Sequence, residues 1–219
     1  MREECGVFGI FDRTQQLNVA KISYFGIFAL QHRGQESAGI AVCNGKNILI
    51  YRDLGLVSEV FDEGILGTLE GNSAIGHVRY STAGGNNWEN SQPILTRYRG
   101  GSFALAHNGH LINQDFLKKQ LQPSASYLKE RNTDSHLLCQ LITASGEEDI
   151  EKALEKIALQ IEGAFCIVVL TENKLIGLRD AMGFHPLVLG QLDNNYVIAS
   201  EDSSFPLIYV QYIREMNQD

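Results

Sequence analysis

Cys5 stands immediately ahead of an apolar, strand-like run in MREECGVFGIF, so a sheet would hold its backbone while leaving it close to a chain end. A thiol so placed acts as a nucleophile if a base takes its proton. Removal of Met1, Arg2, Glu3 and Glu4 would supply that base within the same residue, because a free α-amine titrates near ~7.7–8.0. The plainer alternative is a cysteine at a strand start with no chemistry. A thiol that attacks a carbonyl also needs donors for the oxyanion that forms, and LAHNGHLIN offers the Asn108 side-chain amide beside the Gly109 N–H. The same Asn-Gly pair also suits a tight hairpin turn. An amino-acid substrate carries a carboxylate and an ammonium group, which call for a forked cation and an acid. Arg79 in GHVRYSTAG and Asp134 in NTDSHLL fill these roles, with the Thr82 hydroxyl just beyond Arg79. A buried Arg79 would need an anionic partner, and Asp134 has a second reading as a helix cap.

The remaining thiols, Cys43, Cys139 and Cys166, are widely spaced, with no CxxC pair and no histidine set nearby, so all are read as free. Cys43 in AVC and Cys166 in AFCIVVL lie in apolar runs and read as buried structural residues. His32, His77, His107, His110, His136 and His185 show no metal-ligand spacing. No metal and no organic cofactor is expected.

Elements must position these groups. Runs rich in β-branched residues recur along the chain: GVFGIF, AGIAVC, ILIYR, AIGHVRYS, FALAHNG, AFCIVVL, LIGLRD, LVLGQL and YVIAS. Apolar residues at three- and four-residue spacing predict helices over Val19 to Gln31, Asn113 to Leu121, Thr133 to Ala144 and Ile150 to Ile161. The strand blocks enclose the helices in sequence without a regular βαβ alternation, which predicts an α+β fold of packed sheets with helices outside. One Gly/Asn-rich stretch, AGGNNWEN from Ala83 to Asn90, reads as a mobile loop that closes over a ligand.

A chain of 219 residues, 44% apolar and 20% charged, is long enough to bury a core as one domain. Its formal charge of −8, with no local Lys/Arg cluster, argues against a nucleic-acid partner. No apolar run approaches membrane-spanning length and no secretory signal opens the chain, so a cytoplasmic location with no membrane partner is expected.

Taken together, ECGVFGI, ALQHRGQESAGIAV, GHVRYSTAG with NSQP, LAHNGHLIN and NTDSHLL resemble the class II, N-terminal-nucleophile glutamine amidotransferases. Within that class, QHRGQESAGI, GHVRYSTAG paired with NSQPI, RDAMGFHPLVLG and IASED are similar to the amidophosphoribosyltransferase branch, from Glu4 to about Glu215. The resemblance implies a four-layer αββα sandwich. It implies Cys5 as nucleophile, Asn108 and Gly109 as oxyanion site, and Arg79, Thr82 and Asp134 as glutamine-binding residues, with Arg33 and Gly34 near the nucleophile. Met1 to Glu4 resembles a removable leader, and residues 5–219 the glutaminase domain. The implied partners are glutamine and a phosphoribosyltransferase domain or subunit that accepts ammonia, a domain expected to be absent from these residues; a homo-oligomer is left open.

Two positions depart from the branch: Ala181 and His185 stand where a proline and an arginine are usual. Two other readings stay open. One is a binding or regulatory module that keeps the pocket and never exposes Cys5. The other is the glutaminase part of a different class II enzyme, such as glucosamine-6-phosphate synthase or asparagine synthetase.

Overall fold

Alternation of apolar side chains is the chain's dominant pattern, and strands follow it. The computed structural model describes residues 5–80, 87–121 and 133–216. Among these, the strands are β1 (Gly6–Phe11), β2 (Ser37–Cys43), β3 (Ile48–Leu54), β4 (Ser73–Arg79), β5 (Ile94–Tyr98), β6 (Gly101–Leu111), β7 (Gly163–Thr171), β8 (Leu175–Arg179), β9 (Val188–Leu192), β10 (Asn195–Ala199) and β11 (Gln211–Glu215). The helices are α1 (Val19–Ala29), α2 (Val57–Val60), α3 (Glu63–Thr68), α4 (Gln114–Gln120), α5 (Asp134–Ala144) and α6 (Ile150–Ala158). The strands form two antiparallel sheets, ordered β11-β9-β10-β1-β4-β2-β3 and β5-β6-β7-β8.

Three apolar layers make this a four-layer sandwich. Phe8, Ile10, Ile40 and Val78 face α1 through Ile27. Phe103, Leu105 and Ile167 face α5 and α6 through Leu138, Ile142 and Leu154. Between the sheets lie Val7, Ala41, Ile75, Ala104, Ala106, Cys166 and Val168, a layer of mostly small side chains that lets the sheets approach closely. Gly9 belongs to the same device, since a Cβ there would sit 3.0 Å from Leu175 and 3.1 Å from Val168. The expected αββα architecture is the one observed.

Each strand and helix expected from periodicity is present, with helix ends trimmed: α1 stops at Ala29 and α6 at Ala158. Two strands and two helices were not anticipated. β11 is exposed along its whole length, so it carries no alternation to read. β5 is short and carries Thr and Arg within its apolar pattern. α2 and α3, at four and six residues, are too short to show a helical period. Asn113 precedes α4 as expected but makes no capping bond; its side chain donates to Gln160 O at 2.8 Å and accepts from Glu162 N at 3.1 Å.

Candidate active site

Side-chain alternation brings the site together. In β1, Val7 faces the inter-sheet layer and Phe8 the α1 layer, so Cys5 continues on the inter-sheet side. In β4, Ile75 faces between the sheets and Val78 faces α1, which directs Arg79 toward the same space. The pairing of Gly6 with Val78 places Cys5 beside Arg79 at the end of the first sheet. From the second sheet, Ala104 and Ala106 face inward, and Asn108 continues their side of β6. Nucleophile, cation and amide therefore meet at one mouth of the inter-sheet space.

The Cys5 thiol is tied to the Tyr80 backbone by two contacts. Its Sγ accepts from Tyr80 N at 3.4 Å, and the thiol points at Tyr80 O at 3.6 Å. Burial pushes the thiol above its ordinary pKa; the Tyr80 backbone bond and the Arg79 and Arg33 charges pull it back, and Glu36 pushes it up. A protonated thiol at neutral pH needs a base. Arg33 donates from Nε to Cys5 O at 3.1 Å and lies 3.7 Å from Glu201, which also meets His32 at 2.5 Å. Gly34 is required for this approach, because a Cβ there would lie 2.5 Å from the Arg79 carbonyl carbon.

Asn108 and Gly109 are not in a hairpin turn. They lie inside β6, paired with Cys166 and Phe165 of β7. Gly109 has φ of 141°, and a Cβ would meet Ala164 O at 2.2 Å, so both the torsion and the packing demand glycine. Asn108 is 2% exposed, and its Nδ2 is buried without a hydrogen-bond acceptor. The Cys166 thiol opposite is sensitive to that amide but is a weak acceptor. A buried amide donor held without an oxygen partner is what an oxyanion would fill.

Arg79 is buried and meets Glu36 at 3.3 Å, which supplies the anionic partner its burial requires. Asp134 opens α5, but the cap is Thr133, whose side chain accepts from His136 N. The Asp134 carboxylate is used elsewhere: Oδ2 accepts from Leu111 N at 2.9 Å and meets His110 Nδ1 at 3.1 Å, while Oδ1 is buried without a partner. Burial raises its pKa, and the Leu111 N–H, His110 and Lys118 oppose that rise. Thr82 and residues 83–86 of the expected loop lie outside the described residues, as does the expected leader, Met1 to Glu4. The loop's remaining part is anchored rather than free. Trp88–Asn90 forms a 3-10 turn; Trp88 donates to Arg52 O at 3.1 Å and stacks beneath its guanidinium, and Arg52 binds Ser91 O and Pro93 O.

Behind the mouth, two buried histidines join the sheets. His77 Nε2 lies 3.0 Å from His107 O, Gln92 bonds the His107 backbone at both N and O, and His107 Nδ1 meets Ser135 at 3.2 Å. Burial lowers both imidazoles to about 3, so both are neutral. Cys139 and Cys166 are buried thiols pushed up to about 12, in keeping with structural roles. Among the described residues no group of three or more His, Cys, Asp or Glu side chains is arranged to hold a metal ion, and no helix is long and apolar enough to cross a membrane.

A family profile described as a glutamine amidotransferase domain matches residues 77–206. The chain belongs to the glutamine amidotransferase family. Proteins named amidophosphoribosyltransferase from Mycobacterium leprae and Bacillus subtilis are 43% and 40% identical over 98% and 99% of this chain. The matches cover 39% and 45% of those proteins, so the chain spans less than half their length. A solved glutamine phosphoribosylpyrophosphate amidotransferase from B. subtilis, complexed with ADP and GMP, aligns at a TM-score of 0.87 and 38% identity, covering 97% of this chain and 45% of that one. The amidotransferase profile takes in Arg79, Asn108, Gly109 and Asp134; Cys5, Arg33 and Gly34 fall within the alignment to the B. subtilis protein, which covers 99% of this chain.

Two residues of this candidate site, Glu36 and Glu201, were not singled out from sequence. Glu36 lies next to the QHRG segment, but only the fold brings it to Arg79. Glu201 sits in IASED, a segment whose wording matched the family without suggesting a role. The segment with the two departures is held by the two residues before it: Asp180 accepts from Met182 N and Phe184 N, and Arg179 donates to Gly183 O and His185 O at 2.6 Å. His185 therefore contributes its backbone to that loop.

Proposed function

We propose that this domain hydrolyses the side-chain amide of glutamine and delivers ammonia to a phosphoribosyltransferase acceptor. The observation that carries the reading is the Asn108 amide, buried without an oxygen acceptor at the mouth where Cys5 and Arg79 also face. With residues 1–4 removed, the Cys5 α-amine takes the thiol proton, and Sγ attacks the glutamine amide carbon. The carbonyl π pair becomes an oxyanion beside Asn108 Nδ2 and the Gly109 N–H. Collapse breaks the carbon–nitrogen bond, and the leaving nitrogen takes the proton held by the α-amine and departs as ammonia. Water then adds to the γ-glutamyl thioester, glutamate leaves and Cys5 regains its proton. Arg79, oriented by Glu36, takes the substrate α-carboxylate; Asp134 takes the α-ammonium through Oδ1, with Thr82 as a further hydroxyl contact.

Delivery of ammonia to a phosphoribosyltransferase is supported by the names of the relatives aligned along nearly the whole chain. These residues carry no acceptor site of their own in this reading. The test is intact mass together with glutamate release from glutamine and labelling by a glutamine-like electrophile. A chain starting at Cys5, labelled there and releasing glutamate, is the expected result. An intact fold with Cys5 exposed as the first residue, yet unlabelled and without glutamate release, would overturn the reading and favour a binding module. Adding phosphoribosyl pyrophosphate to this chain alone should yield no enzymatic phosphoribosylamine.

A further inference from the structure

His110 lies two residues beyond Asn108 on β6, at the rim of the same mouth, and its side chain is 69% exposed. Its Nδ1 lies 3.1 Å from Asp134 Oδ2, on a carboxylate that is only 11% exposed. The other Asp134 oxygen is buried with no partner. One carboxylate thus has one oxygen engaged by Leu111 N and a titratable ring, and one oxygen unengaged. The reading of Asp134 as the α-ammonium receptor, on which this inference rests, assigns the free oxygen to glutamine.

We propose that His110 is a positioning residue for glutamine recognition that acts through Asp134: neutral, it orients the carboxylate by a hydrogen bond and leaves its negative charge to the substrate ammonium; protonated, it competes for that charge. Protonation of an imidazole turns a neutral donor into a cation at the same place, so the 3.1 Å contact to Oδ2 changes from an orienting hydrogen bond to a competing charge. Among the described residues the surrounding charges are few. Lys118 from α4 favours the anionic carboxylate, His107 from the same strand is buried and neutral, and across the β6–β7 pairing His110 faces the uncharged Ala164. Glu162, just before β7, meets this end of β6 through its backbone carbonyl, which accepts from Ile112 N. Among the described residues the exposed ring is thus coupled chiefly to one acid, and that acid contacts the substrate in the proposed pocket.

Calorimetric titration of glutamine into the Cys5→Ala chain at pH 6, 7 and 8 reads the effect without turnover. Affinity is expected to weaken about fivefold from pH 8 to pH 6, the size of a partly screened charge pair. His110→Asn keeps a donor for Oδ2 but cannot titrate, so it should bind as the parent does at pH 8 and lose most of the weakening at pH 6. Parallel pH curves for parent and His110→Asn overturn the role of His110, even where Asp134→Asn weakens binding and so upholds the pocket. If Asp134→Asn leaves binding unchanged, or glutamine does not bind at any pH, the pocket reading fails and His110's role fails with it.

Discussion

Lowering the pH from 7 to 5 should cost this domain about 4 kcal/mol of stability through His77 and His107 alone. Both rings are fully buried at the junction of the two sheets, and burial holds each near a pKa of about 3. In the unfolded chain an imidazole titrates near 6.5. A histidine whose folded pKa lies below its unfolded value contributes stability that is complete above about pH 6.5 and is lost as the pH falls toward 3. By pH 5 the unfolded chain has bound nearly two protons that the folded domain has not, about 2 kcal/mol for each ring. Urea denaturation followed by fluorescence at pH 7, 6 and 5 measures this directly. Other groups titrate in the same window, so the decisive comparison is with His77→Gln, whose amide N–H can replace the Nε2 contact to His107 O without taking a proton. That variant should lose about half of the decline. A parent and variant with parallel stability-pH curves would refute the assignment of His77 as a buried neutral ring.

Four further residues have outcomes set by the geometry. Asn108→Ala should lower the turnover number for glutamine hydrolysis by about 10²- to 10³-fold with little change in KM, as loss of one oxyanion donor does; an unchanged turnover number would remove Asn108 from the mechanism. Asp134→Asn should raise the glutamine KM by about 10- to 100-fold, from loss of a charged hydrogen bond. Its stability should move the other way: with the folded carboxyl raised, ionisation at pH 7 costs the native state, so thermal unfolding should show an equal or higher Tm, with the gain vanishing below the ordinary aspartate range. Gly109→Ala should lose on the order of 2–4 kcal/mol by chemical denaturation, since its φ of 141° is strained for alanine and the added Cβ would lie 2.2 Å from Ala164 O. With residues 1–4 attached, Cys5 should alkylate with iodoacetamide more slowly than free cysteine at pH 8, because burial raises its thiol; alkylation faster than free cysteine at pH 8 would contradict that environment.

The sequence by itself determined the parts that rest on local pattern. Alternating β-branched runs marked nine of the strands, three- and four-residue spacing marked the longer helices, and both follow from the backbone period of each element. Motif wording pointed to Cys5, Asn108, Gly109, Arg79 and Asp134, and the sheet end brings Cys5, Arg79 and Asn108 to one mouth. The alternatives for individual residues were settled only by tertiary structure. Asn-Gly has the local chemistry of a turn, yet Gly109 spends its conformational freedom inside a paired strand, because Ala164 O leaves no room for a Cβ. Asp134 has the chemistry of a cap, yet Thr133 caps the helix and frees the carboxylate for Leu111 and His110. Glu36 reaches Arg79 across 43 residues, and Glu201 reaches His32 across 169. Such pairings depend on strand order and register between distant segments, which no local period encodes.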